Sequence, residues 1–309
     1  MNISGFSFCR NAAKLYYPVA ESIRSVLPIC DEFVVAVGRG DDDDRTRDLI
    51  TAIGDPKIRI IDTEWTDRDT LRGWIHSQQT NIALNACRGD WCLYLQSDEV
   101  IHERDLPVIA GRCRELQDDR RVEGLLFRYL HFWGDYQHVH RSHAWYPSEI
   151  RVVRNGLGIQ SFRSAQSFRL NQQRLQVAKV EADIYHYGWV RPPELMRAKC
   201  REFMWTHLGR HRSEALNQAP SFDYGSLERI PVFKGTHPAV MQDWMARFDW
   251  ADRLQYSGPS PVRHRHDRLK YRLLTAVEQG VLGGKVRLGA QPYRRLIKSA
   301  GRPGGDRHT

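Results

Sequence analysis

Apolar runs alternate with amphipathic stretches through the first hundred residues. The runs are short, continuous and bounded by polar residues, which is typical of strands covered on both faces of a parallel sheet. In the first stretch between them, Leu15, Val19 and Ile23 form a stripe at helical spacing. The predicted strands are 3–8, 32–37, 58–62 and 91–95, and the predicted helices are 11–26, 45–53 and 78–87. This alternation indicates an α/β domain built from parallel βαβ units.

The pattern changes after residue 120, where strand-like runs are separated by loops. These runs predict an extension of the sheet rather than further βαβ units. The predicted strands are 124–131, 149–154 and 176–186, and the later predicted helices are 194–209, 239–253 and 268–279. A breaker cluster, Gly258-Pro259-Ser260-Pro261, precedes the last of these helices. We therefore expect an α/β domain over 1–190 and a mainly helical C-terminal extension with a basic tail over 191–309.

The composition is that of a globular protein, with 41% hydrophobic and 27% charged residues. No stretch approaches the roughly 18 apolar residues that a membrane-spanning helix needs. The first residues lack the basic and apolar regions of a signal peptide, so we expect a cytoplasmic protein. The six cysteines form no CxxC pair, and we expect buried, reduced thiols.

Positive charge is concentrated towards the C-terminus of a chain whose net charge is +9. A solvated surface explains such a segment by default. The alternative hypothesis is that the segment 263–298 docks peripherally at the inner membrane face. Nine tryptophans also raise the possibility of a nucleic-acid-binding protein, but the basic residues form no stripe with interleaved aromatics. We therefore expect no nucleic-acid partner.

Two acids follow the fourth predicted strand directly. Asp98 and Glu99 end the run Trp91-Cys92-Leu93-Tyr94-Leu95-Gln96-Ser97. Ligands of open α/β sheets bind beyond the carboxyl ends of the strands, and a hard divalent cation prefers carboxylate and phosphate oxygens. The two acids thus predict a site for a metal and a phosphate group, with an acidic turn or a helix cap as the alternative interpretation.

Several segments together resemble a bacterial family 2 glycosyltransferase of the GT-A fold, a Rossmann-like nucleotide-diphospho-sugar transferase. The resemblance covers about residues 1–190. In chain order the matching segments are Ser7-Phe8-Cys9-Arg10-Asn11, Asp31-Glu32, Gly40-Asp41-Asp42-Asp43-Asp44, Gln79-Thr80-Asn81, Gln96-Ser97-Asp98-Glu99 and Ile184-Tyr185-His186-Tyr187-Gly188-Trp189. The segment Phe233-Lys234-Gly235-Thr236-His237-Pro238 also resembles one branch of these enzymes.

The resemblance implies transfer of a sugar from a nucleotide-diphosphate donor, with a UDP-sugar expected first, to an acceptor hydroxyl. It implies an inverting, metal-assisted reaction on a saccharide, lipid-linked or protein acceptor in cell-surface polysaccharide or glycoconjugate synthesis. The residues that it assigns to the donor are Phe8, Arg10, Asn11, Asp41, Asp43, Gln79, Gln96 and Ser97. Asn11 is equally well explained as the cap of the following helix.

The resemblance assigns a divalent metal, Mn²⁺ or Mg²⁺, to Asp98, Glu99 and His186. The family's acidic motif usually begins with Asp, and Gln96 takes that position here. A neutral imidazole is a good ligand beside carboxylates, although a histidine in an aromatic segment is as well explained by core packing. Because Gln96 carries no charge, a third interpretation is a glycosyltransferase-like protein without activity.

The remaining assignments concern the acceptor side. An inverting transfer needs a base near the acceptor hydroxyl. The family's usual position falls near Ala165-Gln166, where this chain has no acid, so we rank Glu149 first, Asp135 second and Asp183 third. Aromatic side chains stack on sugar rings. We expect the acceptor to contact Trp133, Trp145 and Tyr146, with core packing as the alternative for each.

Overall fold

A ten-stranded sheet forms the centre of the molecule. The computed structural model describes residues 1–65, 71–216, 218–284 and 286–296. The sheet strands are β1 (Ile3–Cys9), β2 (Glu32–Gly38), β3 (Ile58–Thr63), β4 (Trp91–Tyr94), β5 (Glu99–Ile101), β6 (Gly124–Trp133), β7 (Val139–His140), β8 (Ser148–Arg154), β12 (Gln176–Trp189) and β13 (Arg294–Arg295). The order along the sheet is β13-β12-β6-β8-β4-β1-β2-β3; β5 pairs with β12 and β7 pairs with β6.

The parallel half of the sheet, β4-β1-β2-β3, is built from the runs that the sequence predicts as strands. Phe6 of β1 lies beside Val34 of β2 and Tyr94 of β4, and all three side chains are fully buried. The chain adds β2 and β3 on one side of β1 and then returns to place β4 on the other. Such a reversal opens a crevice at the carboxyl ends of the two strands that flank it, here β1 and β4.

The other half of the sheet confirms the predicted extension without βαβ repeats. Strand β8 runs antiparallel between β4 and β6, and β12 pairs with β6 in parallel. A separate three-stranded sheet contains β9 (Gln160–Phe162), β10 (Ser167–Leu170) and β11 (Gln173–Arg174). The predicted α/β fold class is confirmed.

Several α-helices are shorter than their sequence patterns predict, whereas those predicted over 78–87 and 194–209 are not. They are α1 (Val19–Val26), α2 (Thr46–Thr51), α3 (Trp74–Asn85), α4 (Leu106–Glu115), α5 (Pro193–Leu208), α6 (Arg210–Leu216), α7 (Gln242–Met245) and α8 (Leu269–Ala276). The helix predicted over 11–26 begins only at Val19, because Asn11 and Tyr16 have positive φ and Pro18 precedes the first turn. Within the described segments, no helix has the length and apolar character needed to cross a membrane.

The C-terminal third departs from the predicted mainly helical extension. The stretch 239–253 forms only short turns of helix, and β13 joins the main sheet. One apolar cluster combines Phe132 and Tyr187 from the sheet with Met241 and Trp250 from the C-terminal third. The segments before and after residue 190 therefore share a core, and the predicted boundary there does not separate two cores.

We predict that Trp250→Ala destabilises the whole chain. The Trp250 side chain is fully buried, and its indole Nε1 donates to the Gly134 carbonyl across 2.9 Å. Loss of the ring leaves a cavity that costs about 3–5 kcal/mol of unfolding free energy. Chemical denaturation monitored by circular dichroism measures the change. Trp74→Ala, at a position that is 58% exposed, is the control and is expected to change little. An unchanged midpoint for Trp250→Ala would contradict the shared core.

Candidate active site

A cleft of about 560 Å³ opens at the carboxyl ends of β2 and β3. Its walls come from the two strand ends and from the acidic loop that follows β2. The lining residues are Val37, Gly38, Arg39, Gly40, Asp41, Asp42, Asp44, Arg47, Asp62, Thr63 and Glu64. The acidic loop that lines this cleft contacts the end of β1 through Arg10 and Asn11.

The end of β1 holds the acidic loop in place. Asn11 Oδ1 accepts a hydrogen bond from the Asp41 amide at 2.8 Å, and Arg10 Nη2 lies 3.2 Å from Asp41 Oδ1. Lys14 Nζ reaches Asp41 at 2.9 Å and Asp43 at 2.7 Å. Burial disfavours the Asp41 anion, but hydrogen bonds from Lys14 and Asn11 outweigh it and hold its pKa below the usual range. The structure thus brings four predicted donor residues together, and Asn11 orders the loop rather than capping a helix.

An aromatic wall stands beside this loop. Phe8 stacks on His76 with ring centroids 5.7 Å apart and contacts Trp65 at 6.2 Å. A Cβ on Gly38 would lie 2.4 Å from Trp65 Nε1, so glycine is the residue that admits the indole. Gln79 does not face this wall: its Oε1 accepts from the Thr63 hydroxyl at 2.6 Å and ties α3 to β3. Gln79 thus contacts Thr63, which lines the cleft, and its donor role stays a prediction.

Gln96 and Ser97 join the ends of β4 and β1. The Ser97 hydroxyl donates to the Phe8 carbonyl at 3.4 Å. The Gln96 amide donates to the Ala165 carbonyl at 3.4 Å, so its side chain points towards the loop between β9 and β10. Both residues lie on the crevice between β1 and β4, where the sequence places them.

Asp98 is the charged centre of the crevice. Lys199 of α5 donates to Asp98 Oδ2 at 2.9 Å and to the Gly188 carbonyl at 2.6 Å. Burial disfavours the Asp98 anion, but the positive charge and the hydrogen bond of Lys199 outweigh it and hold the pKa of Asp98 well below its usual range. A Cβ on Gly188 would lie 2.7 Å from Asp98 Oδ2 and 2.5 Å from His186 Nε2. Only glycine therefore leaves space for both groups.

His186 presents an unprotonated nitrogen to Asp98. His131 Nε2 lies 2.7 Å from the Tyr146 carbonyl and must donate to it, since a carbonyl only accepts. Burial lowers the pKa of His131 to about 3 and that of His186 to about 4, so both rings are neutral. His131 Nδ1 then accepts from His186 Nδ1 across 3.0 Å. The Nε2 lone pair of His186 is left 3.9 Å from Asp98 Oδ2.

Glu99 is not available as a metal ligand, which corrects the sequence prediction. Arg151 Nε and Nη2 each donate to one of its oxygens at 2.7 Å, and Tyr129 adds a third hydrogen bond at 2.7 Å. The pair is completely buried. Among the described residues no group of three or more histidine, cysteine, aspartate or glutamate side chains is arranged to hold a metal ion. With Glu99 held by Arg151 and Tyr129, the predicted metal ligands are reduced to Asp98, which Lys199 contacts, and His186.

The three acids proposed as the base lie in different settings. Asp135 accepts from the backbone and ring of His138 at 2.9 Å and shapes the turn between β6 and β7. Asp183 forms a two-bond ion pair with Arg128 at 2.5 and 2.7 Å. These contacts correct the assignments of Asp135 and Asp183. Glu149 is 1% exposed, its Oε2 has no hydrogen-bond partner among the described residues, and burial raises its pKa to about 8.

Trp133 belongs to the core rather than to an acceptor surface. It is 2% exposed, donates to the Tyr224 carbonyl at 3.1 Å and stacks on Trp189 with centroids 4.9 Å apart. Trp145 and Tyr146 are half-buried, and Tyr146 packs on His131 beside the Asp98 crevice. The predicted acceptor role is thus corrected for Trp133 and stays a prediction for Trp145 and Tyr146.

Sequence reasoning missed the cations that α5 and the preceding turn bring to the crevice. Lys199 contacts Asp98, and Glu202, three residues on, pairs with Arg10. Arg191 is fully buried, donates to the Leu15 carbonyl, and also lowers the pKa of Asp98. The sequence spacing places Lys199 and Glu202 on one face of a helix. It does not indicate that this face covers the ends of β1 and β4.

Comparison with known proteins finds similarity to solved structures only. No family model and no curated protein matches the chain. S. aureus TarS is 16% identical over 69% of this chain and 42% of its own length, with a TM-score of 0.40. The 1–349 fragment of TarS in complex with UDP-GlcNAc is 15% identical over 69% of this chain and 70% of the fragment, with a TM-score of 0.37. The match thus spans less than half of that TarS chain.

A second likeness is to glucosyl-3-phosphoglycerate synthase from Mycobacterium tuberculosis, solved with Mn²⁺, UDP and phosphoglyceric acid. It is 18% identical over 42% of this chain and 43% of its own length, with a TM-score of 0.29. TarS and this synthase are nucleotide-sugar glycosyltransferases with the GT-A fold, the class that the sequence resembles. Similarity at this level concerns the fold and carries no argument about activity.

We predict that Arg151→Met destabilises the fold by about 3–5 kcal/mol, because Glu99 is left buried and uncompensated. Arg47→Met is the matched control: Arg47 also uses Nε and Nη2 on one carboxylate, that of Asp62, but on the exposed surface. Little change is expected there. Urea denaturation compares the two. Equal effects would show that the Glu99 pair does not hold the crevice together.

We predict that Glu149→Gln stabilises the chain in a pH-dependent way. The pKa of Glu149 is raised from 4.5 to about 8, so between these values the folded chain holds a proton that the unfolded chain releases. The unfolding free energy of the parent protein therefore falls as pH rises through this range. Relative to the parent, Glu149→Gln should gain on the order of 4 kcal/mol between pH 5 and pH 8. A difference that is the same at both pH values would contradict the assigned burial of this carboxyl.

Proposed function

We propose that the chain is a glycosyltransferase that moves a sugar from a nucleotide-diphosphate donor to an acceptor hydroxyl. The observation that carries the proposal is the crevice at the strand reversal between β1 and β4. One rim holds Arg10 and Asn11 with the acidic loop, and the other holds Ser97 and Asp98 beside Lys199. A nucleotide diphosphate needs hydrogen-bond acceptors for its nucleoside and positive charge for its phosphates, and the crevice has both.

The nucleoside fits the cleft beside the acidic loop. Asp41 is ionised and fixed by Asn11, so its carboxylate is ready to accept hydrogen bonds from ribose hydroxyls or from a base N–H. Phe8 and Trp65 supply an apolar wall for a planar base. The sequence resemblance favours a UDP-sugar as the donor. Asp43 is more exposed than Asp41, and its role is to hold Lys14 against the loop.

The diphosphate fits the other end of the crevice, near Lys199 and Arg191. The leaving nucleotide develops negative charge as the bond to the sugar breaks, and nearby cations stabilise that charge. Because the predicted metal ligands do not form a set, we derive no step through a divalent cation. Asp98 then orients Lys199 and restrains the sugar end of the donor.

The acceptor lies on the Tyr146 side of Asp98 in this proposal. An inverting transfer needs a base there, and Glu149 and His186 are the titratable groups at hand. Glu149 is uncharged at neutral pH, whereas the Nε2 lone pair of His186 faces the crevice. Family 2 membership, hexosyl transfer and a place in cell-surface polysaccharide synthesis remain expectations from the sequence resemblance.

A second cleft bears on the acceptor and on the membrane hypothesis. It has a volume of about 1220 Å³, and its lining includes Arg141, Arg229, Arg263, Arg268 and Arg272. No ion pair of these side chains occurs among the described residues. A saccharide carrying phosphate groups or an anionic lipid headgroup suits such a lining. We propose that the protein is cytoplasmic and contacts the inner membrane face peripherally through this basic surface.

The two alternative hypotheses predict different binding of nucleotides and nucleic acids. A glycosyltransferase-like protein without activity would bind the donor and transfer nothing. A nucleic-acid-binding protein would bind random DNA in a salt-dependent way. The acidic loop beside the crevice disfavours the second alternative, because phosphodiester backbones are repelled by clustered carboxylates.

We predict that UDP stabilises the protein more than GDP, dTDP or CDP does in a thermal-shift series with and without Mn²⁺. A ligand at about 100 times its dissociation constant adds ~2.7 kcal/mol. Asp41→Asn should weaken UDP binding by about tenfold, because a charged acceptor is lost. Asp48→Asn, on the exposed face of α2 beside Arg45, is the control and should bind normally. No stabilisation by any of the four nucleotides would overturn the proposed function.

We also predict that the protein floats with vesicles that contain anionic phospholipid and not with neutral ones. The triple change R263E/R268E/R272E should abolish flotation while leaving the melting temperature and the UDP response unchanged, because all three side chains are exposed. Flotation of the triple variant at the parent level would contradict the proposed membrane contact.

A further inference from the structure

We propose that Lys199 is the resident cation of the donor site and binds the donor diphosphate in the place that a divalent metal would otherwise take. The inference rests on the proposed function and deepens it. It assigns a donor-binding role to a residue outside the part of the chain that resembles glycosyltransferases, and it makes donor binding independent of added metal.

The first observation is the position of the ammonium group. Lys199 Nζ donates to Asp98 Oδ2 at 2.9 Å and to the Gly188 carbonyl at 2.6 Å. An ammonium has three N–H donors, so one remains for a phosphate oxygen. The group also lies 4.9 Å from the Tyr17 ring centroid and 5.9 Å from that of Trp189. Two oxygens and two aromatic faces thus fix one cation beside the acid that the sequence assigns to metal binding.

The second observation is that Lys199 cannot leave without a cost. The Lys199 side chain is 15% exposed and that of Asp98 is 6% exposed. Met196, one turn earlier on α5, is completely buried and anchors the helix that carries Lys199. Swinging Lys199 away would leave Asp98 as a buried and unpaired charge, which is strongly unfavourable. Lys199 is therefore a fixed component of the site.

The third observation is the local balance of charge. Arg151 pairs with Glu99, and Asp98 is the carboxylate that pairs with Lys199. Arg191 adds a second buried cation, and neither its Nε nor its Nη2 makes a hydrogen bond within the described part of the chain. Lys199 and Arg191 together outnumber Asp98 by one positive charge. A diphosphate would complete this balance, as fixed cations do at the phosphates of phosphoryl-transfer enzymes.

The fourth observation is the donor set left for a metal. Asp98 Oδ2 is shared with Lys199, the oxygens of Glu99 are occupied, and His186 offers a single Nε2 lone pair at 3.9 Å. A divalent cation of the Mn²⁺ or Mg²⁺ type prefers six ligands, most of them oxygen. The protein thus offers one carboxylate oxygen that Lys199 already contacts and one imidazole, so a divalent cation would have to take its other ligands from water and the donor phosphates and compete with the ammonium group.

The experiment is calorimetric titration of the full chain with UDP and with uridine, after EDTA treatment and again with Mn²⁺. We expect the parent to bind UDP in EDTA with an affinity within about twofold of that in Mn²⁺. Lys199→Met should weaken UDP binding in EDTA by about tenfold or more, as expected for loss of a charge-assisted hydrogen bond, and leave uridine binding unchanged. Lys199→Arg, which keeps the charge, should retain most of the affinity.

The control is Lys179→Met, which removes an exposed lysine of β12 that pairs with Glu181, and it should bind UDP as the parent does. The double variant D98N/K199M removes both charges of the buried pair. It keeps the test valid if Lys199→Met alone fails to fold, and it should show the same selective loss of UDP binding.

Two results would overturn the proposal while keeping the proposed function. One is UDP binding by the parent that requires Mn²⁺, and the other is equal weakening of UDP and uridine binding by Lys199→Met and the double variant. A parent that binds neither UDP nor uridine under any condition would overturn the proposed function, and this inference with it.

Discussion

The buried ion pair between Glu99 and Arg151 is the interaction on which the crevice depends. Glu99 lies in β5, which pairs with β12, and Arg151 lies in β8, so the pair joins three strands at the point where β4 ends. The backbone N–H of Gln96 also donates to Glu99 Oε2, at 3.1 Å. With Glu99 turned inward, the adjacent Asp98 is directed into the crevice. A desolvated pair of this kind gives little net stability, but it fixes one arrangement of the chain.

The first four strands and the rim of the site follow from local patterns in the sequence. Continuous apolar runs specify buried parallel strands, and acids that follow a strand lie at its carboxyl end, as Asp98 does after β4 and the acidic loop does after β2. The helix predicted from residue 11 failed for an equally local reason: Asn11 takes a left-handed conformation so that its side chain can hold Asp41. The apolar stripe of Leu15, Val19 and Ile23 indicates which side chains are buried. It does not by itself establish that the backbone between them is helical.

The parts that could not be predicted depend on contacts between distant segments. Adjacent acids look alike in a sequence, and only the position of Arg151 decides that Glu99 is structural while Asp98 is free to face Lys199. Lys199 reaches the site from a helix about a hundred residues further along the chain. The burial of Trp133 could not be predicted because it depends on distant segments: Trp189 at the end of β12 stacks on its ring, and Tyr224 in the C-terminal third accepts its hydrogen bond.

The central claim is that the crevice between β1 and β4 binds a nucleotide diphosphate. A crystal structure of the protein grown with UDP tests it most directly. We expect the nucleoside beside Asp41 and Phe8, and the diphosphate within hydrogen-bond distance of Lys199. UDP bound elsewhere on the molecule, or in the crevice with its phosphates directed away from Lys199 and Asp98, would contradict it.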